Sequence, residues 1–223
     1  MVEVSTSILG VEKENCLQTF YDIEAAKTDY FHIDVMDGEF VENNNTDKMY
    51  EYATQIRNIN NTPMDVHLMC KDVKKFVEEY ISLEPNIITF HIEAIEQKEE
   101  VIKMINYIKG NNVKVGIAIN PNTGIEKIID YLPYVHMVLV MTVEPGKGGQ
   151  DLIPETLIKV YALKEIIDEK GVEIDIEVDG GINEKTAKAA KLAGSNILVA
   201  GSYIIKSDNY QEKISKLKEE IKS

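Results

Sequence analysis

A chain of 223 residues has the length to bury one large core and would leave two unrelated domains each small. Its composition, 44% hydrophobic and 28% charged, belongs to a folded globular protein and not to a disordered one. The formal charge of −14 opposes nucleic acid and anionic membranes as partners, so an anionic ligand must be held by local features.

No apolar run approaches the roughly 20 residues that span a bilayer, and Met1-Val2-Glu3-Val4 has no basic region leading into an apolar signal core. No membrane partner and a cytoplasmic address are therefore expected. Cys16 and Cys70 form no CxxC pair and read as reduced packing residues.

Short β-rich runs alternate with amphipathic stretches from end to end. The first run, 4–9, sets Ser5 and Ser7 on one face, because side chains alternate along a strand; a helical stretch near 12–28 follows. The second run, 30–35, pairs His32 with Asp34 on one face, with Met36 just beyond, and leads to a helix at 46–59. The third, 64–68, places His67 with Met69 and precedes a helix at 72–82. The fourth, 87–91, ends on His91 before a helix at 95–109. The fifth, 114–119, runs into Asn120 and a helix near 124–131. The sixth, 136–141, opens on His136 and closes on Met141, ahead of Pro145-Gly146-Lys147-Gly148-Gly149 and a helix at 154–169. The seventh, 174–178, leads to Asp179, on the face of Glu177, and to Gly180-Gly181 before a helix at 184–192. The eighth, 196–200, enters Gly201-Ser202, and a Lys/Glu-rich helix near 208–221 ends the chain.

Eight such pairs describe an α/β chain that either closes as a single (β/α)8 TIM barrel or stays open as a doubly wound sheet. The polar residues decide. Ser7, His32, Asp34, His67, His91, Asn120 and Asp179 fall toward the C-terminal ends of their strands, on inward faces. An open sheet would string them along a ridge, whereas a barrel gathers them at one mouth, where active sites of this fold lie. One barrel over 1–223, with no internal linker, is expected.

His32, Asp34, His67 and Asp179 make a donor set for one divalent metal ion, zinc, manganese or iron(II). Any one of them alone is explained as well by a hydrogen bond to nearby backbone; four on one rim point to a metal. Asp34 and Asp179 come from different arcs of the ring and can approach a substrate from opposite sides. That arrangement inverts a carbon centre: one carboxylate removes a proton, the conjugate acid of the other returns one, and the cation stabilises the enediolate between. Glycine clusters after three consecutive strands (Gly146, Gly148 and Gly149; Gly180 and Gly181; Gly201 with Ser202) suit a phosphate held by backbone N–H groups. Met36, Met69 and Met141 can form an apolar collar around the reacting carbon. His91 reads as a supporting or structural residue, His136 as structural, and Lys147 as an aid to phosphate attraction.

These segments carry a family resemblance. Ser5-Thr6-Ser7-Ile8-Leu9, His32-Ile33-Asp34-Val35-Met36-Asp37-Gly38, Asp65-Val66-His67-Leu68-Met69, Met141-Thr142-Val143-Glu144-Pro145-Gly146-Lys147-Gly148-Gly149-Gln150, Glu177-Val178-Asp179-Gly180-Gly181 and Val199-Ala200-Gly201-Ser202 resemble, in order, the signatures of ribulose-phosphate 3-epimerases. The resemblance implies a metal on His32, Asp34, His67 and Asp179, and Asp34 and Asp179 as the acid/base pair. It implies sugar contacts from Ser7 and His67, closure by Gly146 to Gly149, and phosphate on Gly180, Gly181, Gly201 and Ser202. The substrate it implies is a phosphorylated ketose, D-ribulose 5-phosphate interconverting with D-xylulose 5-phosphate, and a homo-oligomer is the expected assembly. Lys147, Glu42, Thr6 and Gly10-Val11-Glu12 depart from the usual pattern in the loops. They leave two alternatives open: the related D-allulose-6-phosphate 3-epimerases, and a non-catalytic sugar-phosphate-binding barrel, which would have no use for a second acid.

Overall fold

The computed structural model describes residues 2–220. Eight strands, β1 (Glu3–Ser7), β2 (Tyr30–Met36), β3 (Met64–Met69), β4 (Ile87–His91), β5 (Lys114–Ile119), β6 (Met137–Met141), β7 (Asp175–Asp179) and β8 (Ile197–Ala200), form a closed parallel barrel in chain order. Parallel neighbours require crossovers. These are supplied by α1 (Cys16–Ala25), α2 (Thr46–Ile59), α3 (Val73–Ile81), α4 (Lys98–Gly110), α5 (Thr156–Lys170) and α6 (Glu184–Ala193), with α7 (Ser202–Ile205) and α8 (Tyr210–Lys218) after β8. The chain is therefore a (β/α)8 TIM barrel. No described helix is long and apolar enough to cross a membrane.

Strand alternation divides the interior into two cores. Outward residues such as Val4, Phe31, Ile33, Val66, Phe90, Val138 and Leu198 pack under the helices in the large cluster. Inside the barrel, Ile87, Met137 and Ile197 plug the N-terminal end of the strands, and Ala118, Leu139, Met141 and Val143 pack nearer the opposite mouth. β6 and β8 are apolar on both faces, as strands buried on both sides tend to be. β2, β3 and β7 break that rule by turning His32, Asp34, Asp65, His67, Glu177 and Asp179 inward. Buried polar groups cost several kcal/mol when unpaired, roughly 2–7, so this arc is maintained for something other than stability.

Several boundaries differ from expectation. β1 stops at Ser7, two residues before the expected end, and the first helix begins as a 3-10 turn at Lys13–Asn15 before α1. The helix expected near 124–131 is replaced by two 3-10 turns, Ile125–Lys127 and Ile129–Tyr134. Ile125, Ile128 and Ile129 lose rotamer freedom in an α-helix and Pro133 has no N–H to continue one. The 3-10 turn at Ile92–Ala94 and helix α7 were not expected. The last helix ends at Lys218; position 221 of the expected span lies outside the described residues.

Candidate active site

The register of neighbouring strands builds the site. In the β2/β3 ladder Asp34 stands opposite His67, and His32 opposite Asp65. At the far side Met141 stands opposite Asp179. Closure of the ring brings these strands face to face. Asp34 Oδ1 then lies 3.3 Å from His32 Nε2 and 3.4 Å from His67 Nδ1. Asp179 Oδ2 lies 3.8 Å from the former nitrogen and 3.6 Å from the latter. One donor atom from each of the four residues falls within 4.8 Å of all the others.

Two facts make this a fit for a cation. Both ring nitrogens that face the centre, His32 Nε2 and His67 Nδ1, are buried without a hydrogen-bond partner, a costly state that a positive ion relieves. The separations also match a coordination shell: ligands about 2.1 Å from a tetrahedral ion stand roughly 3.4 Å apart. The electrostatics agree. Burial acts to raise the Asp34 carboxyl, but the charges and hydrogen bonds of His32 and His67 outweigh it and hold it far below the usual carboxylate range. Burial acts to lower both imidazoles; Asp65 and Asp34 raise His32 well above its ordinary value, and Asp179 and Asp34 raise His67. The centre therefore draws positive charge.

Support comes from a second layer. Asp65 Oδ2 is 2.6 Å from His32 Nδ1 and accepts from Ser5 Oγ at 2.9 Å. Burial and the negative charge of Asp65 push the carboxyl of Glu177 well above its ordinary range. On the other side His67 Nε2 meets His91 Nε2 at 2.9 Å. His91 Nδ1 faces Glu93 Oε2 at 3.3 Å, and Glu93 Oε1 accepts from the Asn120 amide at 2.8 Å. Burial is the main cause that lowers His91, to about 4.

Over this centre opens a small cavity of about 70 Å³. Its lining includes Ser7, Asp34, Met36, Met69, Met141, Asp179, Gly146, Gly148, Gly149, Gly180, Gly181, Gly201 and Ser202. His32 and His67 are fully buried and do not line it. The His67 ring lies behind the two carboxylates, within reach of a metal. Ser7 lines the cavity but also donates from Oγ to Asp34 Oδ2 at 2.7 Å, fixing the carboxylate. His32, expected near the mouth, sits one inward step below Asp34.

The glycine loops are tied in place. Gln150 Nε2 donates to the carbonyls of Glu144 and Lys147, and Asn43 Nδ2 reaches across from the loop after β2 to the Gly146 carbonyl at 2.7 Å. Thr142 Oγ1 donates to the Gly180 carbonyl and Thr186 Oγ1, in the first turn of α6, to that of Gly181. Asp65, Glu93 and Asn43 escaped the sequence reading. Asp65 shares the inward face of His67, a signal that alternation could have given; the other two depend on long-range packing.

Comparison with known proteins identifies the family. The family model described as the ribulose-phosphate 3 epimerase family matches residues 3–205. The ribulose-phosphate 3-epimerase of Methanocaldococcus jannaschii is 38% identical over 98% of this chain and 91% of its own. That of Bacillus subtilis is 35% identical over 98% and 99%. Among solved structures, 3-keto-L-gulonate-6-phosphate decarboxylase from Vibrio cholerae superposes with a TM-score of 0.73 at 10% identity, covering 98% of this chain and 96% of that one, a likeness of fold alone. With a barrel of this topology, this constellation at its mouth and relatives along nearly its whole length, the chain is an isomerase that belongs to the ribulose-phosphate 3-epimerase family.

Proposed function

We propose that this protein interconverts D-ribulose 5-phosphate and D-xylulose 5-phosphate by moving the C3 proton between the faces of the sugar, with Asp34 and Asp179 as the two acid/base groups and one divalent ion held by His32, Asp34, His67 and Asp179. The observation that carries this reading is the convergence of two carboxylates, both open to the cavity, on two buried imidazole nitrogens without partners.

A bound zinc, manganese or iron(II) ion would supply positive charge for the oxygens of the enediolate. The remaining work falls to side chains. One carboxylate takes the C3 proton while the other, protonated, delivers to the opposite face, and the roles exchange for the reverse reaction. Ser7 orients Asp34 through its hydroxyl. Met36, Met69 and Met141, each about 2% exposed, keep water from the reacting carbon. Gly180, Gly181, Gly201 and Ser202 line the side of the cavity that suits phosphate, beside the short helix α7, where barrels of this class commonly hold it.

The test is a side-by-side assay of purified, metal-loaded protein with ribulose 5-phosphate and allulose 6-phosphate. Turnover that favours the pentose phosphate supports the proposal. A clear preference for the hexose phosphate assigns the other 3-epimerase activity, and binding of either sugar phosphate without turnover leaves only the non-catalytic barrel.

A further inference from the structure

We infer that Glu93 and His91 are positioning residues: through His91, the Glu93 carboxylate fixes the tautomer of His67 so that the bare nitrogen of His67 faces the cation site. The cation part of this inference rests on the metal reading above; the tautomer part does not.

A histidine that ligates a metal usually donates its other ring N–H to a carboxylate, a carbonyl or a water, which fixes the tautomer. His32 has the direct form of this support in Asp65. His67 does not. Its second nitrogen meets another imidazole nitrogen, His91 Nε2, at 2.9 Å, and an imidazole nitrogen can be donor or acceptor. Only one proton fits between them, so the pair has two states. In one, His67 Nε2–H donates to His91 Nε2, and His67 Nδ1 is bare. In the other, His91 donates, and the proton of His67 points from Nδ1 into the site, where it blocks a cation.

Something beyond the pair must choose, and water is poorly placed to do it. Both rings are fully buried, they lie edge to edge with centroids 5.0 Å apart and planes 27° apart, and Phe40 covers His91 at 4.9 Å. The other nitrogen of His91, Nδ1, faces Glu93 Oε2 at 3.3 Å. A carboxylate only accepts, so Nδ1 of His91 carries the proton and its Nε2 is the acceptor. That forces the first state. Glu93 is itself oriented by the Asn120 amide, which donates to its other oxygen at 2.8 Å. Donation thus runs from His67 through His91 to Glu93, and the Glu93 carboxylate accepts from His91 on one oxygen and from the Asn120 amide on the other.

Glu93→Gln reverses the choice. The Asn120 N–H still requires an acceptor, so the Gln carbonyl oxygen turns to it and the NH2 faces His91 Nδ1 as a donor. His91 then donates from Nε2, and His67 carries its proton on Nδ1. Glu93→Ala removes the group and selects neither state. Tautomer selection therefore predicts zinc affinity in the order wild type, Ala, Gln, with Gln weaker than wild type by about ten- to a hundredfold. A merely structural role predicts the opposite order for the two variants, since Ala deletes more packing.

The experiment measures zinc affinity by competition with a chelator for the three proteins, and the His67 tautomer in each metal-free protein by long-range proton–nitrogen correlation NMR, at a pH high enough that the ring is neutral and carries a single proton. A Gln variant with the His67 proton moved to Nδ1, and with weaker zinc binding than the Ala variant, supports the inference. A Gln variant in which His67 still carries its proton on Nε2 overturns it, as does zinc affinity that falls further in Ala than in Gln. If the wild type holds no divalent ion, the metal reading fails by itself and the tautomer shift alone decides: a moved proton upholds the role of Glu93 and an unmoved one rejects it.

Discussion

Asp34 and Asp179 share a centre but not an environment. Asp34 is 4% exposed, is held by Ser7 and is kept ionised by two imidazoles, whereas Asp179 is only half-buried. Asp34→Asn and Asp179→Asn should each slow epimerisation by about 10²–10⁴, because inversion needs both transfers, but the unequal settings predict unequal residual chemistry. The surviving carboxylate can remove the C3 proton of whichever epimer presents it and return one from solvent to the same face. Deuterium uptake at C3 in heavy water, followed by NMR for each epimer with metal occupancy matched, should show exchange without inversion. A metal-loaded variant that epimerises near the parent rate would remove that aspartate from the mechanism. At this scale the sequence was most informative where inward strand positions carry rare residue types: His32, Asp34, His67 and Asp179 were legible from alternation alone. Their supports were less so. Asp65 meets His32 because β2 and β3 pair in one register, and Glu93 meets His91 across the turn at Ile92–Ala94. The first relation needs the strand register, although alternation already puts Asp65 on the inward face; the second is local, two residues apart, but depends on a 3-10 turn that the strand pattern did not reveal.

The elements tell a related story in which strands were easier to find than helices. Each strand is a β-branched or apolar run between turn residues, a signal that survives even where one face is polar. The segment after Asn120 misled because its isoleucines have helical spacing but not helical propensity. The glycine loops are the elements to which the proposed function assigns phosphate binding. Gly181 has φ +66, and a Cβ there would stand 2.3 Å from the Leu152 backbone nitrogen, so Gly181→Ala must displace the start of α5's approach or its own loop. Steady-state kinetics should show KM for the phosphorylated ketose rising by more than kcat falls, together with a stability loss of about 1–3 kcal/mol in denaturant titration. An unchanged KM would mean that the Gly180-Gly181 turn does not hold the phosphate. Lys147 belongs to the same layer of loops and lines the cavity. If, as proposed, backbone N–H groups and not this ammonium group hold the phosphate, Lys147→Phe should keep most of the activity, and a loss as large as that of Asp34→Asn would reverse this assignment.

Across the whole molecule, stability and chemistry are held in different compartments: the helices pack on the outward faces of the strands, and the inward polar arc is supported by its own hydrogen bonds. Groups in the arc should therefore tune stability with pH without defining the fold. His91 is the clearest case. Burial lowers it from 6.5 to about 4, so the unfolded chain takes up its proton first, and the stability associated with the neutral ring is present above 6.5 and lost as pH falls toward 4. In metal-free protein, the stability of wild type relative to His91→Gln should fall by about 2 kcal/mol between about pH 7.5 and about pH 5. A difference independent of pH would show that His91 is not buried as a neutral ring.

Removal of the cation tests the compartments together. Without it, Asp34 and Asp179 still face His32 and His67, whose raised affinities for protons let them replace part of the missing charge. The apoprotein should then keep its far-ultraviolet circular dichroism and cooperative unfolding, with a lower Tm because a ligand that binds only the folded state adds about 2.7 kcal/mol at a hundred times its Kd. Turnover should vanish and return with zinc, manganese or iron(II), since protonated imidazoles hold charge but offer no lone pair to a metal and no charge to the substrate's oxygens. Protons and cation compete for the same two nitrogens, so metal affinity should fall as pH drops through the raised imidazole values. Elemental analysis paired with activity across pH decides the matter: full turnover in protein shown to be metal-free would leave proton transfer by the two carboxylates standing without its proposed electrostatic partner.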